Sequence, residues 1–470
     1  MLLTVDIGTS SLKSALWDYE GKRLAFASFP LSVNISDEQK CEVICGQWLH
    51  AFKDCCDKLG NLICVSVIVI SGNGPTLVPV LEGHLPENEL FPAAENARLW
   101  LDRRAVKYQA QVSDIMGGFV DAGFFLPKIL SIKNDENELY RKVKYFLGCP
   151  EYLAYTLTGE AKTVFPSDGF DRWFWDNNVL EKLELDTEKM PSFIRPGEPF
   201  GTVLPKAASF FGLKNNIPVI SGGPDFFASI LGAGVTEPSQ ACDRTGSSEG
   251  INLCINKKVN DERLMSYGHP VKPYWNLSGI INTTGKAIEW ASGILGLSGI
   301  EDFFSLAGES RAGSGGLVFL PYLAGERAPL WNPSVRGLWR GLSINSSRGD
   351  FANSILEGIG FAIRDVITVM EESGEKVKQL RVTGGIAGND CFNQLKADIT
   401  GVEILEPVQK EGELLGLAVI GSCFLGKYSS FGEASSVMVH VDKHFKPNPK
   451  NASLYNELFE KYRNSRDLIT

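Results

Sequence analysis

The chain has 470 residues, of which 44% are hydrophobic and 22% are charged, and this composition is typical of a soluble globular protein rather than a disordered or fibrous one. Its length exceeds what a single core usually supports, so two or more domains are expected. The formal net charge is −10, and the lysines and arginines are scattered rather than clustered, which argues against nucleic acid or an anionic membrane as a partner.

The N-terminal segment predicts a β-hairpin with a polar turn. Two strand-like runs, LLTVDI and LKSALWD, flank the turn GTSS, and a third strand, RLAFASF, follows YEGK. A helix is predicted for GQWLHAFKDCCDKLG because its apolar residues fall on one helical stripe. The buried strand VSVIVI (65–70) then ends at SGNGPT. The first half is therefore expected to be α/β, with strands that run into polar loops.

A segment in the middle of the chain repeats the opening pattern. QACDRTGSSEGINLCI (240–255) again places an aspartate and a Thr-Gly-Ser-Ser turn between two hydrophobic runs, about half the chain length after the first turn. This indicates two related α/β domains, each beginning with a hairpin whose turn faces a shared cleft, although chance similarity of two short turns is the alternative. Residues 1–230 and 231–470 are the expected domains.

Two strand-to-helix junctions are predicted where α/β sheets usually bind ligands. In IPVISGGPDFFASILGAG (217–234) a strand ends at two glycines, Asp225 follows, and an apolar helix runs to a glycine. In QLRVTGGIAGNDCFNQLKADITG (379–401) another strand ends at Gly384 and Gly385. Two further helices, interpreted as packing elements, are predicted at 353–373 and 413–426.

Compartment and redox state are predicted from three features. The sequence starts directly on a strand-like run, without the basic segment and apolar stretch of a secretory signal. No uninterrupted apolar run reaches the length of a membrane span. The ten cysteines cluster between residues 41 and 64 or occur singly in apolar contexts, which favours reduced core thiols over disulfides. A cytoplasmic protein without a membrane partner is expected.

The candidate reactive groups are carboxylates. Beside the first turn, Asp6 can hold Mg²⁺ through water while turn amides and hydroxyls contact phosphate oxygens, although an ordinary turn contains the same residue types. Lys13 either reaches phosphate or is a solvated strand lysine. Asp225 is the preferred general base, because an ionised aspartate at the mouth of a strand needs only positioning, and helix capping is the alternative.

Other kinds of site are disfavoured or less specific. The sequence contains no GxxxxGK[ST] P-loop and no HRDxxxxN set, so those two kinds of phosphate site are disfavoured. With only five histidines in the chain, a histidine-based site is also disfavoured. Gly384 and Gly385 allow a backbone to approach a flat ligand closely, and Asn389 can hydrogen-bond an adenine edge. A tight connection between strand and helix is the alternative interpretation of these three residues.

The combined pattern resembles the FGGY carbohydrate kinases, within the superfamily of actin, hexokinase and the chaperone ATPases. The likeness covers nearly the whole chain, and its order and spacing are specific although each segment alone is not. The segments are DIGTSSLKSALWDYEGK, ARLWLDRRA (97–105), LAYTLTGE (153–160), GGPDFFASILGAGVTEP (222–238), GLVFLPYLAGERAPLWNPSVRG (316–337), GLWRGLSINSSRGDFANSILE (337–357) and GGIAGNDCFNQLKADITGVEI (384–404). The resemblance implies an α/β fold of two related RNase H-like domains, of the actin and hexokinase type, that flank a catalytic cleft.

The resemblance also implies a role for particular residues. Asp6 would bind Mg²⁺, and Asp225 would be the catalytic base and contact the substrate. The residues that would bind ATP are Gly8, Thr9, Ser10 and Lys13 in a first phosphate loop, Thr245, Gly246 and Ser247 in a second, and Gly384, Gly385 and Asn389 around the adenosine. The residues that would contact the sugar are Asn73 together with Trp100, Asp102 and Arg104, which match the family's W-x-D-x-R loop.

Departures from the family pattern fall on the sugar side. Where xylulose kinases resemble GQMHG, this chain has Gly72-Asn73-Gly74-Pro75-Thr76, and nothing charged stands where glycerol kinases carry an Arg-Glu pair. After the base the family usually has Asn or Gln, and this chain has Phe226. The departures leave the implied catalytic residues in place and bear on which sugar is used.

The expected activity is transfer of the γ-phosphoryl group of Mg-ATP to a hydroxyl of a small sugar, with a ketose such as xylulose preferred. A polyol kinase of the same family, of the glycerol or erythritol type, and a catalytically silent sugar-binding relative are the alternatives. A third alternative, an ATPase of the actin or chaperone sort, should lack both Asp225 and the W-x-D-x-R loop. The expected partner is the sugar or polyol, and a homodimer is left open.

Overall fold

Strands and helices alternate through most of the chain. The computed structural model describes residues 1–36, 39–85 and 88–469. In chain order the strands are β1 (Leu2–Ile7), β2 (Ser11–Trp17), β3 (Arg23–Pro30), β4 (Asn34–Ile35), β5 (Cys41–Val43), β6 (Val67–Gly72), β7 (Val78–Leu85), β8 (Asn88–Ala94), β9 (Ala97–Arg98), β10 (Val143–Leu147), β11 (Thr163–Val164), β12 (Phe193–Ile194), β13 (Pro199–Thr202), β14 (Pro218–Pro224), β15 (Gln240–Thr245), β16 (Glu249–Ile255), β17 (Met265–Gly268), β18 (Trp275–Ile281), β19 (Val318–Leu320), β20 (Leu338–Arg340), β21 (Gln379–Gly384), β22 (Glu403–Pro407) and β23 (Val441–Phe445).

The helices include the five that the sequence predicts. In chain order they are α1 (Gly46–Leu59), α2 (Gln109–Met116), α3 (Phe125–Asp135), α4 (Asn137–Lys142), α5 (Cys149–Thr158), α6 (Asn177–Lys182), α7 (Pro205–Phe211), α8 (Asp225–Gly232), α9 (Gly285–Ile294), α10 (Ile300–Ala307), α11 (Arg348–Glu372), α12 (Asp390–Thr400), α13 (Gly412–Phe424), α14 (Phe431–Met438) and α15 (Pro449–Asp467). The five predicted helices are α1, α8, α11, α12 and α13. Helix α11 begins before the predicted residue 353, because Ser347 and Asp350 form a capping box at its N-terminus.

The chain divides into two units. Unit 1 comprises Met1–Gly232 and Glu413–Met438, and unit 2 comprises Ala233–Gly412 and Val439–Thr470. The main division lies close to the expected boundary after residue 230, but Glu413–Met438 had been expected in the second domain. Glycines on α13 allow its close packing in unit 1. A Cβ at Gly416 would overlap the Ala228 carbonyl oxygen, and one at Gly421 would lie 2.8 Å from a Val69 methyl carbon.

Each unit contains one large sheet, and the two sheets share a topology. The strand order is β13-β14-β6-β1-β2-β3 in unit 1 and β17-β18-β16-β15-β21-β22-β23 in unit 2. In unit 1, β1 pairs antiparallel with β2 and parallel with β6, which pairs parallel with β14. In unit 2, β15 pairs antiparallel with β16 and parallel with β21, which pairs parallel with β22. This equivalence confirms the two related α/β domains predicted from the repeated turns.

The core of unit 1 fixes the strands that end at the candidate site. Every residue of β1 and of β6 is buried. Helix α1 packs on β2 and β3 through the predicted apolar stripe, in which Phe52 is fully buried with its ring centroid 5.0 Å from that of Phe211. Strand β6 continues to Gly72, beyond the predicted end at residue 70, and so reaches the polar loop. All ten cysteines lie in the described residues; none forms a disulfide, and seven are buried.

We expect Phe52→Ala to lower the free energy of unfolding by about 3–5 kcal/mol, because it removes a fully buried ring and leaves a cavity between α1 and α7. Urea denaturation followed by circular dichroism measures the change. The exposed Lys214 offers a control, since Lys214→Ala should change stability by no more than about 0.5 kcal/mol. An unchanged midpoint for Phe52→Ala would contradict the packing of α1.

Candidate active site

Parallel strands of unit 1 bring two carboxylates to one edge of the sheet. Asp6 lies one residue before the end of β1, and Asp225 directly follows β14. Strand β6 lies between these two strands, and its last residue, Gly72, pairs with Ile7 on one side and with Pro224 on the other. The register therefore places Asp6 and Asp225 on either side of β6, with this one strand between them. Both lie at the carboxyl ends of the strands, where α/β sheets bind ligands.

Asp225 is the first residue of α8 and is half-buried. Its Oδ1 accepts a hydrogen bond of 2.6 Å from the backbone N–H of Phe226. The Ser229 hydroxyl, one turn later, lies 2.9 Å from the Asp225 carbonyl oxygen and 2.8 Å from Glu413 Oε1. Helix α8 thus holds the Asp225 backbone at the mouth of β14, as the sequence predicts.

A buried cysteine that the sequence analysis did not single out lies beside both carboxylates. Cys149 begins α5, and its thiol donates to the Asn73 carbonyl oxygen at 3.2 Å. Burial raises the pKa of the Cys149 thiol well above its usual range, and the nearby carboxylates of Glu151, Asp6 and Asp225 raise it further. The thiol is therefore a neutral group beneath the site. No motif in the sequence marks this cysteine.

The first predicted phosphate loop is a tight turn between β1 and β2. The Gly8 N–H donates to the Ser11 carbonyl oxygen at 2.9 Å and closes the turn. Ser10 is exposed at its tip. Lys13 pairs directly opposite Asp6 in the hairpin register, so these two side chains share one face of the sheet. The structure thus brings together the loop, its lysine and the candidate metal ligand.

The W-x-D-x-R loop contacts this turn through its tryptophan. The indole N–H of Trp100 donates to Thr9 Oγ1 at 3.3 Å. Asp102 has no exposed surface, and its carboxylate accepts hydrogen bonds from Arg104. The donors are the backbone N–H at 3.2 Å, Nε at 3.1 Å from both carboxylate oxygens, and Nη2 at 2.8 Å. Arg104 also bonds Glu42 Oε1 at 2.7 Å. Asp102 and Arg104 therefore support the loop from within, whereas Trp100 lies at the turn.

The loop that follows β6 is held by its own asparagine. The Asn73 Nδ2 group donates to the Ile7 carbonyl oxygen at 3.0 Å, and its Oδ1 accepts from the Thr76 hydroxyl at 2.5 Å. Asn73 is only 7% exposed. Its amide thus ties the Gly-Asn-Gly-Pro-Thr loop to the end of β1, while its predicted contact with a sugar stays a prediction.

A buried lysine that sequence reasoning missed joins this loop to the W-x-D-x-R loop around Trp100, which we call the tryptophan loop. Lys128 Nζ donates to the carbonyl oxygens of Pro75 at 2.9 Å, Leu99 at 2.6 Å and Arg98 at 3.2 Å. Burial lowers the pKa of Lys128 to about 7, whereas the three carbonyl acceptors match the three donors of the charged form. Lys128 lies in LPKIL, a segment for which the sequence analysis assigned no role.

In unit 2 the second predicted phosphate loop is held by the N-terminus of α9. The N–H of Gly285 donates to the Gly246 carbonyl oxygen at 3.1 Å, and the N–H groups of Thr284 and Lys286 each donate to the Ser247 carbonyl oxygen at 3.2 Å. Gly246 and Ser247 are themselves exposed. The segment before α9, which the sequence analysis did not assign to the site, therefore shapes this loop.

The predicted adenosine residues adjoin the same loop. Gly384 has a φ of +102°, and a Cβ there would overlap the Thr245 carbonyl oxygen. The N–H of Gly385 donates to that oxygen at 3.2 Å, and Gly385 is exposed. Asn389 caps α12, because its Oδ1 accepts from the Phe392 N–H at 2.9 Å. Residues from two predicted groups, 245–247 and 384–389, are thus neighbours within unit 2.

A buried ionic cluster lies behind the second loop. Lys396 Nζ is 2.7 Å from Asp243 Oδ2, 2.5 Å from Glu249 Oε1 and 3.2 Å from Thr245 Oγ1, and all four residues are buried. Burial and the Glu249 carboxylate raise the pKa of Asp243 well above its ordinary value. Lys396 lowers the pKa of Glu249 against the effect of burial. The Thr245 hydroxyl also donates to Glu249, so this side chain belongs to the cluster.

Family models match both halves of the chain. The model described as the FGGY family of carbohydrate kinases, N-terminal domain, matches residues 1–232, and the corresponding C-terminal domain matches residues 244–424. The chain belongs to the FGGY family of carbohydrate kinases. The family resemblance inferred from the motifs is thereby confirmed.

Individual relatives of this kinase agree with that assignment. The xylulose kinase of Staphylococcus epidermidis is 28% identical over 98% of this chain and 95% of its own length. Among solved structures, a gluconate kinase from Lactobacillus acidophilus has a TM-score of 0.86 at 23% identity, over 99% of this chain and 97% of its own. A ligand-bound xylulose kinase from the same organism has a TM-score of 0.85 at 23% identity, over 100% and 98%. These structures show the shared fold.

For this FGGY kinase we expect the contribution of Asp102 to stability to depend on pH. Burial alone would raise the pKa of Asp102, but the hydrogen bonds from Arg104 hold it below its ordinary value of 3.8. The stabilisation is therefore present above that pH and is lost as the pH falls further. Asp102→Asn should cost about 2 kcal/mol at pH 7. Denaturant titrations should show its difference from wild type shrinking as the pH falls below 3.8, and a pH-independent difference would contradict the ion pair.

A second expectation concerns the buried cluster of the kinase. Lys396→Met leaves two carboxylates buried without their cation, and we expect a loss of about 3–5 kcal/mol in the free energy of unfolding. Adding Glu249→Gln to this variant removes one carboxylate and should restore part of the loss. The exposed Lys378→Met is the control. Thermal and urea unfolding measure all four proteins, and a fully stable Lys396→Met variant would refute the cluster.

Proposed function

We propose that this carbohydrate kinase transfers the γ-phosphoryl group of ATP to a hydroxyl group of a small sugar, with a ketose such as xylulose as the first candidate. The observation that carries the proposal is the sheet edge at which Asp6 and Asp225 follow two parallel strands separated only by β6. The relatives named xylulose kinase support the choice of a ketose.

In the proposed reaction Asp225 is the general base. Its carboxylate accepts the proton of the acceptor hydroxyl while the hydroxyl oxygen bonds to the γ-phosphorus and the bond to the bridging β,γ-oxygen breaks, releasing ADP. The half-buried position at the start of α8 supports this role, because it holds the group at the sheet edge without removing it from solvent. Positioning of the acceptor hydroxyl against the γ-phosphoryl group then supplies a large part of the rate enhancement.

Asp6 is the proposed ligand of a divalent cation. Among the described residues no group of three or more His, Cys, Asp or Glu side chains could hold a metal by itself. A single, largely buried carboxylate at the end of β1 fits Mg²⁺, which is usually bound by one or two carboxylates together with phosphate oxygens and water. When bound, the cation neutralises charge on the phosphates. Gly8, Thr9, Ser10 and Lys13 are proposed to contact phosphate oxygens beside it.

The proposed nucleotide residues of unit 2 are Gly246, Ser247, Gly384, Gly385 and Asn389. Gly246, Ser247 and Gly385 are exposed, which leaves them accessible to a ligand. Because Oδ1 of Asn389 caps α12, its Nδ2 group is the one we assign to a base edge. Thr245 is proposed to contribute through its backbone, because its hydroxyl is bonded to Glu249 and Lys396.

A cytoplasmic location is also part of the proposal. It is supported by the ten cysteines, all within the described residues, which form no disulfide, because disulfides are rare in reducing compartments. In the part of the chain that the structure describes, no helix combines the length and the apolar character needed to span a membrane. The proposed partner is the small sugar or polyol acceptor.

The assignment of the base is tested with Asp225→Asn, which keeps the shape of the side chain and removes its basicity. We expect kcat for sugar-dependent ADP formation to fall by about 10²–10⁴-fold, with the Kd of ATP changed by no more than about twofold. The exposed Asp57→Asn is a matched control. A panel of pentuloses, hexuloses, polyols and sugar acids identifies the acceptor. Retained turnover in Asp225→Asn would refute the proposed base.

A further inference from the structure

A row of aromatic side chains in unit 1 begins beside the proposed base. We call Phe226, Phe170, Trp173 and Phe124 the aromatic arc. Phe226 stacks on Phe170 with ring centroids 5.9 Å apart and planes at 15°, and Phe170 lies 5.2 Å from Trp173. Phe124 stacks on Trp173 at 5.8 Å and 18°. The four rings are therefore continuous from the start of α8 to the start of α3.

Both ends of the arc are fixed at the candidate site. Phe226 is bonded through its backbone N–H to the Asp225 carboxylate. At the other end, the segment before Phe124 packs closely on the tryptophan loop, since a Cβ at Gly123 would overlap the Trp100 carbonyl oxygen. Trp100 in turn donates to Thr9 in the first phosphate loop. The arc thus runs from the proposed base towards the predicted phosphate loop of the same unit.

None of the four rings of the arc belongs to the main hydrophobic core of unit 1. Three of its rings are half-buried, and only Phe170 is buried, with 7% exposure. The neighbouring residues Phe125 and Phe174 turn instead into a second aromatic cluster, in which their ring centroids are 6.0 Å apart and Trp175 lies 5.9 Å from Phe174. Partly exposed aromatic surface next to a carboxylate is a feature that many ligand pockets share.

We propose that the aromatic arc is the specificity-determining wall of the acceptor site and that the preferred acceptor places a C–H face or a deoxygenated carbon against it. The inference rests on the proposed function, because it assumes that the acceptor hydroxyl binds at Asp225. The phenylalanine rings of the arc offer no strong hydrogen bond to a hydroxyl group, so a hydroxyl buried against them loses its bonds to water without replacement. Phe226, next to the base, therefore favours the less hydroxylated of two otherwise similar acceptors.

The test uses pairs of acceptors that differ by one hydroxyl group, namely D-xylulose with 1-deoxy-D-xylulose and glycerol with 1,2-propanediol. For at least one pair we expect wild-type kcat/KM to be about tenfold higher for the deoxy member. Phe226→Asn should lower this ratio at least about tenfold, because the amide can bond the added hydroxyl. Since both values of a pair come from one preparation, any loss of folded protein cancels.

Matched variants separate specificity from stability. Phe170→Leu should lower the same ratio, whereas Phe193→Leu, in the second cluster at 5.2 Å from Trp175, should leave it unchanged. Nucleotide affinity should not change in any of the three variants. A wild-type ratio below one in every pair, or a ratio that Phe226→Asn leaves unaltered, would overturn the proposal.

The experiment also distinguishes a failure of the proposal about the arc from a failure of the proposed function. If wild type turns over no acceptor, the proposed function fails, and calorimetric titration of the same pairs then decides the role of the arc. Tighter binding of the deoxy member to wild type, but not to Phe226→Asn, supports the arc. Equal or weaker binding of the deoxy member overturns it.

Discussion

The parallel pairing of β1, β6 and β14 is the constraint on which the site in unit 1 depends. Residues at equal heights on neighbouring parallel strands must lie side by side, so the pairing of Gly72 with Ile7 and with Pro224 fixes where Asp6 and Asp225 emerge. The three strands are held by buried apolar residues rather than by the carboxylates. The buried core thus presents two acidic groups at one edge of the sheet.

The supporting polar groups of the site share a physical pattern. Lys128, Asp102 and Lys396 are each buried, and each satisfies its charge or its hydrogen-bonding capacity within the protein. A buried charge without partners costs several kcal/mol, so these residues hold their loops in a narrow range of positions. Lys128 joins the loop after β6 to the tryptophan loop, and Lys396 holds the hairpin of the second loop. The positions of the exposed loop residues at the site thus depend on these buried side chains.

Much of this organisation is predictable from the sequence, because it rests on local patterns. The two hairpin turns, the stripe of α1 and the junction at Asp225 are visible as periodicity and turn chemistry. The hydrogen-bond partners of Lys128 and Lys396 cannot be predicted in this way, because they lie far away in the chain and no spacing encodes them. Asp102 matches a substrate motif in sequence, yet only the structure shows that it is fully buried against Arg104.

The account predicts that the acceptor sugar binds at the carboxyl ends of β1, β6 and β14. The most direct measurement is a crystal structure of the protein with a turned-over acceptor and a non-hydrolysable ATP analogue. The account predicts that one acceptor hydroxyl lies within hydrogen-bond distance, about 2.6–3.2 Å, of an Asp225 carboxylate oxygen. An acceptor bound elsewhere in unit 1, or an Asp225 carboxylate turned away from the acceptor, would contradict it.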